Sequence, residues 1–175
     1  MFGCKFHPKL KNQHRTSPPI AGITIHADSF PTAILVLALS ERYLQAINSQ
    51  MYEVTVEDSF AAGHYLRNYR GKCENPHGHN YKVRITLQGR ELDAAGLLLD
   101  FKELKRVMKP VIERLDHQMI NDVAPFTTLN PSAENLAKYF YDETNSILKT
   151  STSGRVSVKE VTIWETDTTT ARYSE

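Results

Sequence analysis

The sequence predicts an α+β fold in which two helices cover one face of a four-stranded antiparallel sheet. Two observations carry this prediction. Apolar and polar residues alternate in two segments after residue 51 and again in two segments near the C-terminus, as in half-buried strands. Between these pairs, apolar residues recur with the period of amphipathic helices. The order strand, strand, helix, helix, strand, strand leaves two open sheet edges, so chains are expected to associate edge to edge.

The first two strands are predicted to form a hairpin. Alternation begins at Tyr52 and keeps its phase as far as His64, while the second strand runs from His79 to Leu87 with apolar residues on one face. The Gly- and Arg-rich connection between them has the composition of a loop. It would return His64 to the end of the sheet at which His77 and His79 lie.

The first helix is predicted to begin at a capping box. Asp100 would accept from first-turn amides and Glu103 would reach back to the cap. An apolar stripe of helical period then runs from Phe101 to Leu115, interrupted by Pro110, which should kink the helix.

The second helix is predicted to start with Asn130 as its cap and Pro131 at its first position. In the third strand the apolar phase changes after Val158, which predicts a bulge near residues 159–160. Glu165 continues the phase of Ile163 and so places a carboxylate on the apolar face. A Thr-rich strand over residues 168–173 closes the chain.

Composition narrows the classes of partner. The 175 residues carry a net charge of +1 and a pI near 7.8, which gives no reason to expect nucleic acid or an anionic membrane as partner. The longest apolar run, residues 33–39, is too short to cross a bilayer. Cys4 and Cys73 form no disulfide framework, so the reducing cytoplasm is the expected compartment.

Residues 1–50 differ in texture from the rest. They are polar and Pro-broken early on, with a short helical pattern over residues 33–47. We interpret them as an N-terminal extension, largely disordered or preceding a physiological start at Met51, and expect His7, His14 and His26 to be exposed and without function. The functional domain is therefore predicted over residues 51–175.

Three histidines predict a metal site. His77 and His79 are two residues apart, so on a strand both imidazoles leave one face about 7 Å apart along the chain. With His64 brought beside them by the hairpin, three neutral imidazoles suit Zn²⁺ and leave a fourth position for water or substrate. The alternative is that these are scattered surface histidines.

Three further groups are candidates for catalysis. Cys73 stands four residues before His77, where a nearby cation would favour a reactive thiolate; the alternative is a buried structural cysteine. Asp116 could orient His117 and raise the basicity of its other nitrogen. Otherwise the two residues are an ordinary helix C-terminus, where a histidine suits the dipole.

Two carboxylates are candidates for ligand binding. Glu165, on the apolar face, could accept two parallel hydrogen bonds from a guanidine-like edge, or it is a misplaced surface residue. Glu134, in the first turn of the second helix, complements the helix dipole in the simplest interpretation, and contacts substrate in the second.

Five separated motifs resemble the 6-pyruvoyl-tetrahydropterin synthase / 6-carboxy-tetrahydropterin synthase family. They occur in collinear order from Met51 to about Tyr173, and residues 1–50 have no counterpart. The motifs are FAAGH (60–64), CENPHGHNY (73–81), LDH (115–117), NPSAENLA (130–137) and WET (164–166).

The resemblance implies a tunnelling fold (T-fold), whose four-stranded sheets join into barrels, as a homo-oligomer, usually a hexamer of two trimers with active sites between subunits. It implies that zinc is bound by His64, His77 and His79. It assigns the catalytic thiol to Cys73, the proton relay to Asp116 and His117, the pterin anchor to Glu165 and a second pterin contact to Glu134.

Among the family's reactions, the spacing favours one. Three residues separate Cys73 from His77, as in the bacterial 6-carboxy-tetrahydropterin synthase of queuosine biosynthesis, whereas the animal-type synthase has five. The resemblance then implies that 7,8-dihydroneopterin triphosphate is converted to 6-carboxy-5,6,7,8-tetrahydropterin, acetaldehyde and triphosphate. Glu74 occupies the position of the glutamate used by a third branch, so release of 6-hydroxymethyl-dihydropterin stays open, as does a 6-pyruvoyl-tetrahydropterin synthase-like activity.

Two other classes of function remain open on these residues. Three histidines and a water also suit a zinc hydrolase, although Cys73 and Glu165 would then have no role. The second is a non-catalytic oligomeric binding module in which zinc holds the hairpin. The presence of Cys73, Asp116 and His117 argues against that alternative.

Overall fold

The computed structural model describes residues 50–175, which form an antiparallel sheet and two α-helices in the predicted order. Short 3-10 turns at Lys72–Glu74 and Ile120–Asp122 lie in the connections. The elements are β1 (Tyr52–His64), β2 (His77–Gly89), α1 (Phe101–Glu113), α2 (Ala133–Ser151), β3 (Ser157–Thr166) and β4 (Thr169–Ser174). The α+β prediction is therefore confirmed.

The strands lie in the order β1-β2-β3-β4, and all neighbours are antiparallel. The β1–β2 hairpin is paired without a break from Tyr52 opposite Gly89 to His64 opposite His77. In β3, Glu160 pairs with Thr86 and Val158 with Leu87, so Lys159 is the extra residue of the predicted bulge. A second irregularity in the β3–β4 pairing falls at Glu165.

One apolar cluster joins the sheet to both helices. The apolar inward side chains of β2 are fully buried, as the alternation predicts, and the apolar residues of the helix stripes are buried or, at Ile147, half-buried. Phe101 is the exception, because its side chain is 60% exposed and does not join the stripe as predicted. Representative core residues are Tyr81, Val83, Ile85, Leu104, Met108, Leu136, Phe140, Leu148 and Ile163.

The helix starts differ from the sequence predictions. Asp100 caps α1 by accepting from the Lys102 amide, but Glu103 pairs with Arg106 instead of returning to the cap, so the predicted capping box is half formed. The cap of α2 is Ser132, whose Oγ accepts from the Asn135 amide at 3.4 Å, and the predicted cap Asn130 is wrong by two residues.

The predictions for the N-terminal segment lie outside the described residues. Disorder over residues 1–30, a helix over residues 33–47 and a domain boundary at residue 50 therefore stay predictions. Within residues 50–175, neither helix combines the length and apolar character needed to cross a bilayer.

Candidate active site

Four side chains converge at the end of the sheet where the β1–β2 hairpin ends. One potential ligand atom from each of His64, His77, His79 and Glu165 lies within 4.8 Å of the others. The Nε2 atoms of His64 and His77 are 3.1 Å apart. The Glu165 Oε1 lies 3.1 Å from Nε2 of His64 and 3.5 Å from Nε2 of His79. The register explains the convergence, because His64 faces His77 and His79 follows on the same strand.

Hydrogen bonds orient two of the imidazoles. Nδ1 of His64 lies 2.8 Å from the Pro131 carbonyl oxygen, and Nδ1 of His77 lies 2.8 Å from that of Asn75. A carbonyl can only accept, so each Nδ1 carries the proton and each Nε2 presents a lone pair to the cluster. Nε2 of His79 is buried and has no hydrogen-bond partner among the described residues. These nitrogen donors fit a bound zinc ion.

Burial keeps two of these imidazoles, those of His64 and His79, in the form that binds metal. His64 is 1% exposed, and its desolvation lowers its pKa, although the Pro131 carbonyl and the Glu165 carboxylate act in the opposite direction. Desolvation likewise lowers the pKa of His79. Both rings are therefore neutral at pH 7, as a metal ligand must be.

Tyr81 packs behind the cluster, with its ring centroid 5.9 Å from that of His64 and 5.4 Å from that of His79. Its burial raises the pKa of the phenol, so the hydroxyl stays protonated. The ring forms the inner wall of the site.

Cys73 and the two candidate binding carboxylates share one cavity beside the cluster. The cavity has a volume of about 270 Å³ and is lined by Cys73, Glu134 and Glu165, together with residues of β4 and of the loop after β1. Cys73 lies half-buried in the first 3-10 turn, and the next residue, Glu74, is exposed. Glu134 enters the cavity because the first turn of α2 forms one wall.

Glu165 has two possible partners in this geometry. It lines the cavity with Cys73, where a ligand anchor was predicted, and it also lies within 3.5 Å of two histidines. The sequence interpretation gave it no part in the metal cluster. The carboxylate can therefore bind either a metal ion or a ligand in the cavity.

Asp116 and His117 form the predicted pair. Nδ1 of His117 lies 2.9 Å from Oδ2 of Asp116, whose Oδ1 accepts from the Ala61 amide at 2.9 Å. These hydrogen bonds, the one from Ala61 foremost, lower the pKa of Asp116. The carboxylate is thus ionised and holds His117 with Nε2 free, while the ring of His117 is 81% exposed.

The structure does not bring His117 into the cavity of Cys73. His117 lines a separate opening of about 480 Å³, together with His79 and Met119. Within one chain, the candidate thiol and the candidate histidine therefore face different openings, and His79 and Glu165 lie between these at the metal cluster.

Sequence reasoning missed the residues that support the site. Asn121 and Asn130 bind the backbone of the loop after β1, and the Pro131 carbonyl orients His64. An asparagine that binds a distant backbone segment has the same local sequence as one that caps a helix. Among these residues, only Asn130 was singled out from the sequence, and it was interpreted as the cap of the second helix.

The fold and the site define a class: an α+β protein with a three-histidine cluster that could hold a metal ion, beside a thiol and two carboxylates. The sequence profile described as 6-pyruvoyl tetrahydropterin synthase matches residues 53–175. The chain therefore belongs to the 6-pyruvoyl tetrahydropterin synthase family of enzymes. This confirms the resemblance seen in the sequence motifs.

Individual relatives come from both branches of that family. A Bacillus subtilis protein named 6-carboxy-5,6,7,8-tetrahydropterin synthase is 34% identical over 140 residues, covering 77% of this chain and 93% of the relative. Human 6-pyruvoyl tetrahydrobiopterin synthase is 37% identical over 94 residues, covering 51% and 65%. The solved 6-pyruvoyl tetrahydropterin synthase of Caenorhabditis elegans superposes with a TM-score of 0.63 at 30% identity, covering 72% of this chain and 96% of that one. The T-fold prediction is thereby confirmed.

Proposed function

We propose that this protein is a zinc-dependent 6-carboxy-5,6,7,8-tetrahydropterin synthase. The observation that carries the proposal is the convergence of three histidine Nε2 atoms beside a cavity lined by Cys73 and Glu165. The similarity to the Bacillus subtilis relative of that name supports it. So does the spacing of three residues between Cys73 and His77. A zinc hydrolase would leave Cys73 and Glu165 without roles, although both line the cavity.

The metal would be held by His64, His77 and His79, whose Nε2 atoms face one another. Zinc bound there supplies Lewis acidity toward an oxygen of the substrate side chain. Glu165 and Glu134 would bind the pterin ring, the former through two parallel hydrogen bonds to its guanidine-like edge.

Cys73 would move a proton on the substrate side chain. His117 would exchange a second proton through Nε2, because Asp116 binds its Nδ1 and leaves Nε2 available.

The separation of Cys73 from His117 fits an active site between subunits. We infer that one copy supplies the zinc ligands and Cys73, and that a second copy brings its own His117 to the same substrate. The outer edges of β1 and β4 offer the means of assembly. Among residues 50–175, the outer edge of β4 and the part of β1 before Ala61 pair with no further strand, whereas Gly63 is bridged by Met119. The expected assembly is a homo-hexamer of two trimers.

The proposed reaction consumes 7,8-dihydroneopterin triphosphate and water. A carbon–carbon bond of the side chain breaks, and the products are 6-carboxy-5,6,7,8-tetrahydropterin, acetaldehyde and triphosphate, as in the synthesis of queuosine. Two family alternatives keep specific support. The similarity to the human relative favours a 6-pyruvoyl product, and the position of Glu74 next to Cys73 favours release of 6-hydroxymethyl-dihydropterin.

Product analysis tests the proposal. The zinc-loaded full chain is incubated with 7,8-dihydroneopterin triphosphate, and products are identified by mass, with acetaldehyde trapped as a hydrazone. The carboxy product together with acetaldehyde is expected. A pyruvoyl product without acetaldehyde, or a hydroxymethyl product with a two-carbon aldehyde that still carries the triphosphate, would replace the proposed reaction by the corresponding alternative.

Glu165 is tested separately. If it anchors the pterin, Glu165→Gln should keep the full zinc content and raise KM, because an amide cannot accept two hydrogen bonds from the ring edge. Glu134→Gln, on the other wall of the cavity, should also raise KM and should keep its zinc, so it is the control for the zinc content. Loss of zinc from Glu165→Gln alone would instead assign Glu165 to the metal.

A further inference from the structure

Two side-chain amides hold the loop that comes after β1. Oδ1 of Asn121 accepts from the Tyr65 amide at 2.9 Å, and its Nδ2 donates to the Tyr65 carbonyl at 2.9 Å. Asn130 makes the same pair of bonds to Arg67, at 2.8 Å and 3.0 Å. Each side-chain amide therefore satisfies both the N–H and the C=O of one backbone residue, as the backbone of a neighbouring strand would do.

The opposite edge of this loop is hydrogen-bonded to the backbone of Cys73. The Leu66 amide donates to the Cys73 carbonyl at 2.8 Å, on the side away from the two asparagines. The Arg67 guanidinium adds bonds to the carbonyls of Phe126 and Leu129, at 3.0 Å and 3.2 Å. The three-residue segment 65–67 is thus fixed on both edges.

Asn130 differs from Asn121 because its neighbour in the chain contacts a candidate metal ligand. That neighbour is Pro131, which is buried and whose carbonyl oxygen lies 2.8 Å from Nδ1 of His64. Arg67, to which Asn130 is bound, lies three residues after His64. The contacts therefore form a closed loop. The backbone leads from His64 to Arg67, Arg67 is bound by the Asn130 side chain, and the carbonyl of the next residue, Pro131, contacts the His64 ring.

We propose that Asn130 is a positioning residue for the metal centre, because its two bonds to Arg67 fix the Pro131 carbonyl that sets the tautomer and rotation of His64. This inference rests on the proposed role of His64 as a zinc ligand. Without the Asn130 side chain, the segment that carries the carbonyl loses one of its restraints, although Asn135 Nδ2 still donates to the Asn130 carbonyl at 2.9 Å. Nε2 of His64 is then held less firmly toward His77.

The expected loss of zinc affinity follows from the contact between the Pro131 carbonyl and Nδ1 of His64. The carbonyl is the partner of a ligand's second nitrogen, and removing such a partner typically lowers metal affinity by about 10- to 100-fold. Asn130→Ala displaces that partner instead of removing it, so it should weaken zinc binding by about 10-fold, the lower end of this range. Asn130→Asp keeps the acceptor for the Arg67 amide but loses the donor to its carbonyl, so its loss should be smaller.

Asn121→Ala is the matched control. It removes an equivalent pair of bonds from the same loop and is more buried, at 2% exposure, but no carbonyl that contacts a metal ligand comes directly after it. It should lower the stability of the metal-free protein at least as much as Asn130→Ala, and should change the zinc dissociation constant by less than about threefold.

The experiment measures zinc dissociation constants of the four full-length proteins by competition with a chromophoric chelator, and the visible absorption of their Co²⁺ forms. Circular dichroism of the metal-free proteins reports folding. The inference expects weaker zinc binding and an altered Co²⁺ spectrum in both Asn130 variants and near-wild-type values in Asn121→Ala. If Asn130→Ala does not fold, Asn130→Asp decides.

Two outcomes overturn the inference. Either both Asn130 variants bind zinc as tightly as the wild type with the same Co²⁺ spectrum, or Asn121→Ala loses affinity to the same extent as Asn130→Ala. Failure of the wild-type protein to bind zinc is a different result, because it would refute the proposed metal site from which the inference starts.

Discussion

His64 and His77 are expected to contribute equally to metal binding but unequally to folding. His64 is 1% exposed, its Nδ1 binds the carbonyl of buried Pro131, and its ring packs edge-on against Tyr81. His77 is half-buried and binds the carbonyl of Asn75, which is exposed. Replacing either residue by Ala removes one of three imidazoles, but only His64→Ala also removes part of the core.

These contacts set the magnitudes. In His64→Ala, the Pro131 carbonyl loses its partner away from solvent, which costs about 1–3 kcal/mol. The vacated ring volume adds a cavity term, so the metal-free variant should be destabilised by about 2–4 kcal/mol in total. In His77→Ala, water can replace the lost partner, and the loss should stay below about 1 kcal/mol.

The assay has two parts. Zinc content per chain is measured by elemental analysis after purification, and both variants should lose most of it. Unfolding of the chelator-treated proteins by urea is then compared at one fixed protein concentration, because assembly would otherwise change the apparent stability. Full zinc content in His77→Ala would refute the ligand assignment. Equal destabilisation of the two metal-free variants would refute the assigned difference in burial.

Three further predictions can be measured with single variants. Cys73→Ala should keep zinc and fold but lose about 10²-fold or more in turnover; near-wild-type activity would shift the role to Glu74. Because hydrogen bonds lower the pKa of Asp116, its stabilising effect is complete above the unfolded-state value of about 3.9 and is lost as pH falls through the lower folded-state value. The stability difference between metal-free wild type and Asp116→Asn should therefore shrink as the solution is acidified below about pH 4, and a difference independent of pH would contradict this. A protein starting at Met51 should fold, assemble, bind zinc and turn over within about twofold of the full chain, and precipitation would show that residues 1–50 are structural.

The local pattern of apolar and polar residues was enough to predict the strands of this protein. The alternation in β1 and β2 predicted both strands and the buried side of His64, because the side-chain period of a strand is fixed by its backbone. The spacing of His77 and His79 predicted a shared face for the same reason. The change of phase after Val158 predicted the bulge at Lys159. These features depend on neighbours within a few residues, which the sequence displays directly.

Contacts between distant segments were decided only by the tertiary structure. Asn130 was predicted to cap α2, but it binds Arg67, 63 residues away, because the fold brings the loop after β1 within reach of its amide. Glu165 was predicted on the apolar face, yet its approach to His64 needed the third strand beside the hairpin. The sequence by itself thus predicted which residues are candidates for the chemistry. The packing of β3 and of residues 121–131 against the hairpin decided which of them meet, because these contacts pair polar groups that are far apart in the sequence.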